Sequence, residues 1–170
     1  MFEKIKLTVL IPCYNEDRTI SKLLQSVIEN LKKLKLQHYQ IIVVDDNSTD
    51  KSLKILSEFA NSSEILLIKN EINTGKGGAI KLALNHIVGD FVLIQDADLE
   101  YDPKDYKKLL LPFIETNADV VYGSRFIGGG KYIKIHFFWH YLANKILTFA
   151  CNLCINLNLT DMEVGYKVIR

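Results

Sequence analysis

Short, almost wholly apolar runs recur along this chain, each ending in polar or acidic residues and each followed by a longer segment with helical spacing. Runs of that length cross a sheet once. Runs that are apolar at nearly every position suit strands covered on both faces, as parallel strands are. The alternation predicts β-α-β-α order and an α/β fold, a parallel-rich sheet flanked by helices. Strands are expected over 7–12, 40–45, 64–68, 91–95 and 119–122.

The intervening segments read as helices. Residues 19–35 place Ile20, Leu23, Leu24, Val27, Ile28 and Leu31 on one face at i, i+3, i+4, i+7 spacing. A second helix is expected after the cap-forming cluster Asn47-Ser48-Thr49-Asp50, burying Leu53, Ile55, Leu56 and Phe59. A third spans 77–86, and a fourth spans 103–115 with Pro103 in its first turn. From 137 to 159 a long apolar stretch carries Asn144, Thr148, Asn152 and Asn156 every fourth residue, which predicts one helix with a single polar stripe. Two readings of that stripe stand side by side. Either the helix packs in the core and the stripe faces solvent or bonds a neighbour, or the helix lies on a membrane surface.

Composition bounds the partners. Lys and Arg total 21 against 20 Asp and Glu, a net charge of +1, so the cationic surplus that a nucleic-acid binder needs is absent. The 48% hydrophobic and 24% charged content fits an ordinary folded domain, expected to be one unit over 1–170. Cys13, Cys151 and Cys154 make no disulfide framework, and the N-terminus lacks a signal core, so the default location is the cytoplasm. No stretch of about 18 residues runs without a charged or strongly polar interruption, so a spanning helix is not expected, although surface attachment stays open.

Ligands of open parallel sheets bind beyond the carboxyl ends of the strands, and that is where the polar signals collect. Asp96-Ala97-Asp98 follows the fourth run: two carboxylates one residue apart can grip a hard divalent cation, Mg²⁺ or Mn²⁺, that shares itself with substrate phosphates. An acidic turn capping the next helix is the plainer alternative. Asp45-Asp46 ends the second run, where one carboxylate could accept from a nucleobase or ribose or simply sit in a solvated turn. Asn73-Thr74-Gly75-Lys76-Gly77-Gly78 runs into a helix, and Lys76 with the helix N-terminus favours an anion; a ligand-free tight turn fits the segment about as well.

Other motifs are set aside. The Walker spacing is absent, and the place where a nucleotidyltransferase would want a basic glycine-rich loop holds Tyr14-Asn15-Glu16. His136, His140 and the Cys151-x-x-Cys154 pair lie along one helical stretch, where His140 and Cys151 would stand roughly 16 Å apart and could not share an ion. They read as ordinary helix histidines and buried thiols.

Six segments, in order, carry a resemblance: Ile-Pro-Cys-Tyr-Asn-Glu (11–16), Val-Val-Asp-Asp-Asn-Ser-Thr-Asp (43–50), Asn-Thr-Gly-Lys-Gly-Gly-Ala (73–79), Gly-Asp-Phe-Val-Leu-Ile-Gln-Asp-Ala-Asp-Leu-Glu (89–100), Gly-Ser-Arg-Phe (123–126) and Asp-Met-Glu-Val-Gly-Tyr-Lys (161–167). The chain resembles the family-2 inverting glycosyltransferases, in particular polyprenyl-phosphate mannose and glucose synthases. The resemblance implies a GT-A-like, Rossmann-related nucleotide-binding fold and a UDP- or GDP-sugar donor. It also implies a polyprenyl-phosphate acceptor, or alternatively a saccharide hydroxyl, and work at the cytoplasmic face of a membrane or beside a membrane partner.

By the same resemblance Pro12, Tyr14, Glu16 and Asp46 hold base and ribose, Asp96 and Asp98 manage metal and diphosphate, and Arg125 meets phosphate oxygens. Glu100 stands where mannose synthases often carry Gln as a further metal ligand, and Asp161 matches a late Asp that serves as base in some members. Lys131, Lys134 and Arg125 would attract an acceptor phosphate. The family's domains generally continue past the segment that ends this chain, so acceptor-side elements are expected to be missing. A non-catalytic nucleotide-sugar binder or partner-dependent subunit is the rival reading.

Overall fold

The computed structural model describes residues 2–61, 65–124 and 138–170. Six strands form one sheet: β1 (Lys6–Cys13), β2 (His38–Asp45), β3 (Ile65–Lys69), β4 (Phe91–Ile94), β5 (Val120–Tyr122) and β6 (Lys167–Ile169), in the order β3-β2-β1-β4-β6-β5. β1 pairs in parallel with both β2 and β4, and β2 in parallel with β3. The expected parallel-rich α/β architecture is what the chain adopts. The last strand was not anticipated: β6 runs antiparallel between β4 and β5, with Leu93 opposite Val168 and Val121 opposite the same residue.

Helices α1 (Ile20–Lys33), α2 (Ser52–Ala60), α3 (Gly75–Ala83), α4 (Tyr106–Glu115) and α5 (Phe138–Ile155) connect the strands. Strand alternation sorts the core into two layers. Val9, Ile11, Ile41 and Val43 face the larger one, built with Leu23, Leu24 and Val27 of α1 and Leu110 and Phe113 of α4. Leu10, Ile42 and Val44 face the other, where Ala79 and Ala83 of α3 press on the sheet. The expected face of the first helix is buried at Ile20, Leu23, Leu24, Val27 and Leu31, with Ile28 partly buried beside it.

Several boundaries move for local reasons. α3 starts at Gly75, two residues before the expected 77, because Asp46 binds the N–H groups of Thr74 and Gly75 and so draws the first turn into shape. Pro103 opens a 3₁₀ turn over Pro103–Asp105, capped by Asp102 accepting from the Lys104 N–H at 3.0 Å, before α4 proper begins. α5 stops at Ile155 rather than 159, and Asn156 follows it in the left-handed region at φ 53°.

The stripe of α5 bonds a neighbour, one of the alternatives the sequence left open, but the apolar side of the helix is not packed in the core. Asn144 and Thr148 are buried, whereas Trp139, Ile146, Phe149 and Leu153 are 60–74% exposed. The polar stripe is the inward face, and it bonds the segment that follows. Asn144 Nδ2 donates to Asp161 Oδ1 at 2.9 Å and Glu163 Oε2 at 3.2 Å, and Thr148 Oγ1 accepts from the Met162 N–H at 3.2 Å. Asn152 donates to the Leu159 carbonyl at 2.8 Å and accepts from the Leu159 N–H at 2.9 Å, replacing a whole backbone pairing. Among the described residues no helix is long and apolar enough to cross a membrane.

Asn152→Ala removes both partners of Leu159, a local loss of about 1–3 kcal/mol. Hydrogen exchange over 156–163 is expected to speed up by roughly tenfold or more, with the amides of β1 and β2 unchanged. Uniform acceleration across the chain would show that the clamp supports the whole fold.

Candidate active site

β1 and β2 end side by side, with Cys13 opposite Asp45, and the loops that leave them are stitched together. The N–H groups of Asn15, Glu16 and Asp17 donate to Ser48 Oγ, Ser52 Oγ and Asp50 Oδ2 at 3.1, 2.8 and 3.0 Å, and the Thr49 N–H returns a bond to Asn15 Oδ1 at 2.8 Å. Asn15 and Asn47 supply the left-handed turns at φ 55° and 62° that let the loops fold back so closely. The side chains the sequence offered as helix caps therefore serve the neighbouring loop, although Asp50 Oδ1 still accepts from the Ser52 N–H at 2.8 Å.

Of the adjacent acids after β2, Asp46 lines the cleft. It is 2% exposed and accepts from Asn70 Nδ2 at 2.7 Å, the Gly75 N–H at 2.7 Å, and the N–H and Oγ1 of Thr74 at 3.1 Å. Burial alone would raise its carboxyl, but the donors from Thr74, Asn70 and Gly75 outweigh burial and hold it below the usual carboxylate range. Its lone pairs are taken, so a nucleoside N–H would have to displace one of these donors. Asp45 is buried too: Oδ2 accepts from the Ser48 N–H at 3.3 Å, while Oδ1 has no partner among the described residues. Beside it, burial and the charges of Asp45 and Glu16 push the Cys13 thiol up to about 12, so it is a wall of the cleft and not a nucleophile.

Asp96 and Asp98 leave the end of β4. Behind them lies a buried polar clamp: Gln95 Oε1 accepts from Tyr106 Oη at 2.9 Å and Tyr166 Oη at 2.8 Å, while its Nε2 donates to the Asp96 carbonyl at 3.0 Å. Burial raises both phenols above their ordinary range, which keeps them protonated donors. In front, Lys76 Nζ pairs with Asp96 Oδ1, and Asp98 Oδ1 accepts from the Glu100 N–H at 3.0 Å across Leu99, held left-handed at φ 62°. From the far side Gly165 donates its N–H to Tyr101 Oη at 2.8 Å, and a Cβ there would overlap Asp96 Oδ2 and the Tyr101 ring. The late segment is thus packed directly on the carboxylate.

These side chains share one cleft of about 440 Å³, lined by Pro12, Tyr14, Glu16, Asp46, Lys76, Asp96 and Asp98 among others. Seven of the ten anticipated site residues meet there. Glu100 sits on the exposed outer turn and Asp161 lies buried under Asn144, both away from the lining, and Arg125 falls outside the described residues, as do Lys131 and Lys134. Among the described residues no three His, Cys, Asp or Glu side chains converge as a closed metal cage. A pair of carboxylates opening on a cleft is instead the donor set of a hard cation that completes its shell with water and phosphate, so the residues fit Mg²⁺ or Mn²⁺. Gln95, Tyr106, Tyr166 and Gly165 were missed as site builders. A glutamine ending an otherwise apolar strand was the available signal.

The mostly parallel sheet flanked by helices, with one antiparallel strand beside β4, is the GT-A glycosyltransferase fold that its structural neighbours share. The chain belongs to glycosyl transferase family 2, whose family model matches residues 8–170. A dolichyl-phosphate beta-glucosyltransferase of Dictyostelium discoideum is 31% identical over 98% of this chain and 54% of its own length. A mannosyltransferase of Pyrobaculum calidifontis, solved with GDP-mannose and Mn²⁺, matches 69% of this chain and 34% of its own at TM-score 0.58 and 25% identity. Glucosyl-3-phosphoglycerate synthase of Mycobacterium tuberculosis shares the fold over 97% of this chain and 55% of its own, at TM-score 0.68 and 20% identity. The chain therefore spans about half or less of the length of these relatives.

Two outcomes are expected from this geometry. The bonds to Asp46 favour its charged form, so their stabilisation is complete above the unfolded-state value of about 3.9 and is lost as pH falls through the lower folded-state value. Asp46→Asn should thus be less stable than wild type near pH 7 by about 1–3 kcal/mol, with the gap closing toward pH 3; urea midpoints at both pH values check this, and a gap that persists in acid refutes it. Gly165→Ala should push Asp96 aside and weaken any ligand binding that uses that carboxylate, with Mn²⁺ and nucleotide as the probe, by about tenfold or more. Calorimetry with a far-ultraviolet spectrum as fold control measures that loss, and unaltered binding would show that the cleft does not rely on the contact.

Proposed function

We propose that this chain is the donor-binding catalytic domain, over 1–170, of a metal-dependent inverting glycosyltransferase that takes its sugar from a UDP- or GDP-sugar and passes it to polyprenyl phosphate. The observation that carries this reading is the single cleft that gathers Pro12, Tyr14, Glu16 and Asp46 with Lys76, Asp96 and Asp98. The GDP-mannose and Mn²⁺ of the Pyrobaculum neighbour and the dolichyl-phosphate name of the Dictyostelium relative support donor, metal and acceptor.

In this reading Tyr14, exposed at the cleft mouth, offers its ring to the base while Pro12 and Glu16 border the nucleoside, and Asp46 holds the first turn of α3 against it. Asp96 and Asp98 would hold Mg²⁺ or Mn²⁺, with Glu100 able to join them only by turning in from the outer turn, and the ion would supply a Lewis acid for the charge growing on the departing diphosphate. Lys76 and Arg125 pair with phosphate oxygens. An acceptor oxygen attacks the anomeric carbon as the bond to diphosphate breaks, and configuration inverts.

A phosphate acceptor is already ionised and needs little help from a base. The burial of Asp161 and its bonds from Asn144 and the Glu163 N–H suit a positioning role, in keeping with such an acceptor. A saccharide hydroxyl would instead require Asp161 as base. The outward apolar row of Trp139, Ile146, Phe149 and Leu153 favours a seat on the cytoplasmic face of the membrane, where a polyprenyl acceptor would be met.

Titration with UDP and with GDP tests the donor site. One of them is expected to bind at least about tenfold more tightly with Mn²⁺ than with EDTA, and Asp98→Asn should abolish that gain without lowering the ligand-free melting temperature. Equal affinities with Mn²⁺ and EDTA would remove the metal from this account.

A further inference from the structure

Among the described residues that line the cleft, Lys76 is the cationic one, set among the carboxylates of Glu16, Asp46, Asp96 and Asp98. Three of those acids have uncharged donors. Asp46 is met by Thr74, Gly75 and Asn70, Glu16 by Thr19 Oγ1 at 2.6 Å, and Asp98 by the Glu100 N–H. Asp96 differs: its side chain is 20% exposed, Gly165 crowds its Oδ2, and Lys76 Nζ sits on its Oδ1. Its charge in the ligand-free cleft is balanced by Lys76.

The stem of Lys76 is fixed and its head is not. Its backbone belongs to the first turn of α3, which Asp46 locks through the neighbouring Thr74 and Gly75 amides, whereas its side chain is 49% exposed. An ammonium on a four-carbon stem can swing by several ångströms without moving the helix. A divalent cation that needs Asp96 cannot share Oδ1 with it, because like charges at that separation repel.

Resting on the reading of the cleft as a metal and nucleoside-diphosphate site, we propose that Lys76 is a stand-in cation that holds Asp96 in the free protein. When metal and diphosphate arrive together it gives up that carboxylate and moves onto a diphosphate oxygen. One ion pair is exchanged for another, so neither ligand alone releases Lys76 at low cost. Metal and nucleotide therefore bind cooperatively, and by linkage each tightens the other by the same factor. The free site is protected from loading with a bare divalent ion that has no donor to act on.

Mn²⁺ binding, followed by the paramagnetic resonance of the unbound ion, tests this without any turnover. Wild type, Lys76→Met, Lys76→Arg and Asp96→Asn are titrated with Mn²⁺ alone and with Mn²⁺ in saturating UDP or GDP, each against a protein-free titration that subtracts the Mn²⁺ the nucleotide itself binds. Wild type is expected to gain about tenfold or more in Mn²⁺ affinity from the nucleotide. Lys76→Met should bind Mn²⁺ alone about threefold or more tighter than wild type, the scale of a half-exposed ion pair. Its nucleotide enhancement should fall below about threefold, while Lys76→Arg keeps the wild-type pattern. The inference is overturned if Lys76→Met binds bare Mn²⁺ no better than wild type, or keeps the full enhancement with its melting temperature intact. Failure of the underlying reading looks different: wild type would then bind no Mn²⁺ even with nucleotide, or Asp96→Asn would bind it as well as wild type.

Discussion

Eight consecutive residues of β1 pair with β2, from Lys6 opposite His38 to Cys13 opposite Asp45, and on its other side residues 7–10 pair with β4. Everything functional hangs on that ladder. While it lasts, both faces of the central strands are covered and nearly every side chain must be apolar, since an unpaired polar group there would lose its water without a replacement. Where it ends the constraint lifts, on β1 and β2 at the same level and on β4 three residues earlier: the Asp46 N–H donates to the Cys13 carbonyl, and the Gln95 N–H to that of Leu10. Loops that are remote in sequence are released at one edge because hydrogen-bond register, and not loop chemistry, decides where they begin.

Collecting acids at one edge is costly, and the chain answers each in a different way. Asp46 is neutralised by peptide N–H groups and the start of α3, an arrangement that works without a counter-ion because aligned amides carry partial positive charge. Asp98 stays near water on a strained left-handed turn at Leu99, which spends backbone energy to project a carboxylate outward. Asp96 has a mobile ammonium. The least permanent of these compensations belongs to the carboxylate that is most rigidly held from behind, by Gln95 and its two tyrosines. Rigid placement with replaceable charge balance is what a site for an exchangeable cation requires.

The sheet and the cleft were legible in the sequence to different depths. Strands β1, β2 and β4 announced themselves because runs such as Thr8-Val9-Leu10-Ile11 are buried on both faces, and so were the polar residues just beyond them. β6 was not legible, because Lys167-Val168-Ile169 is three residues long and is held by pairing with strands some 75 and 47 positions earlier. The clamp around Gln95 escaped for the same reason: nothing local links it to Tyr106 and Tyr166. For α5 the periodicity was right, but the sequence left open whether its polar stripe faced solvent or bonded a neighbour. A stripe of Asn and Thr normally marks the wet side of a helix, and only the carbonyls and N–H groups of 159–163 reveal it as the inner one.

That inversion explains how a late, mostly irregular segment can take part in the chemistry of a distant strand end. Of the apolar side chains in residues 156–166 only Val164 and Tyr166 are buried, so hydrophobic packing alone would leave the segment loose. It is held instead at one end by the Asn144, Thr148 and Asn152 stripe and at the other by β6, and between those fixed points Gly165 lies against Asp96. Only a residue without a Cβ leaves room for both the carboxylate and the Tyr101 ring. A helix whose polar side faces inward is therefore no defect of patterning: its buried amides position the segment that sets how far Asp96 can retreat, and the apolar side left outward is the cost of using the polar side for that purpose.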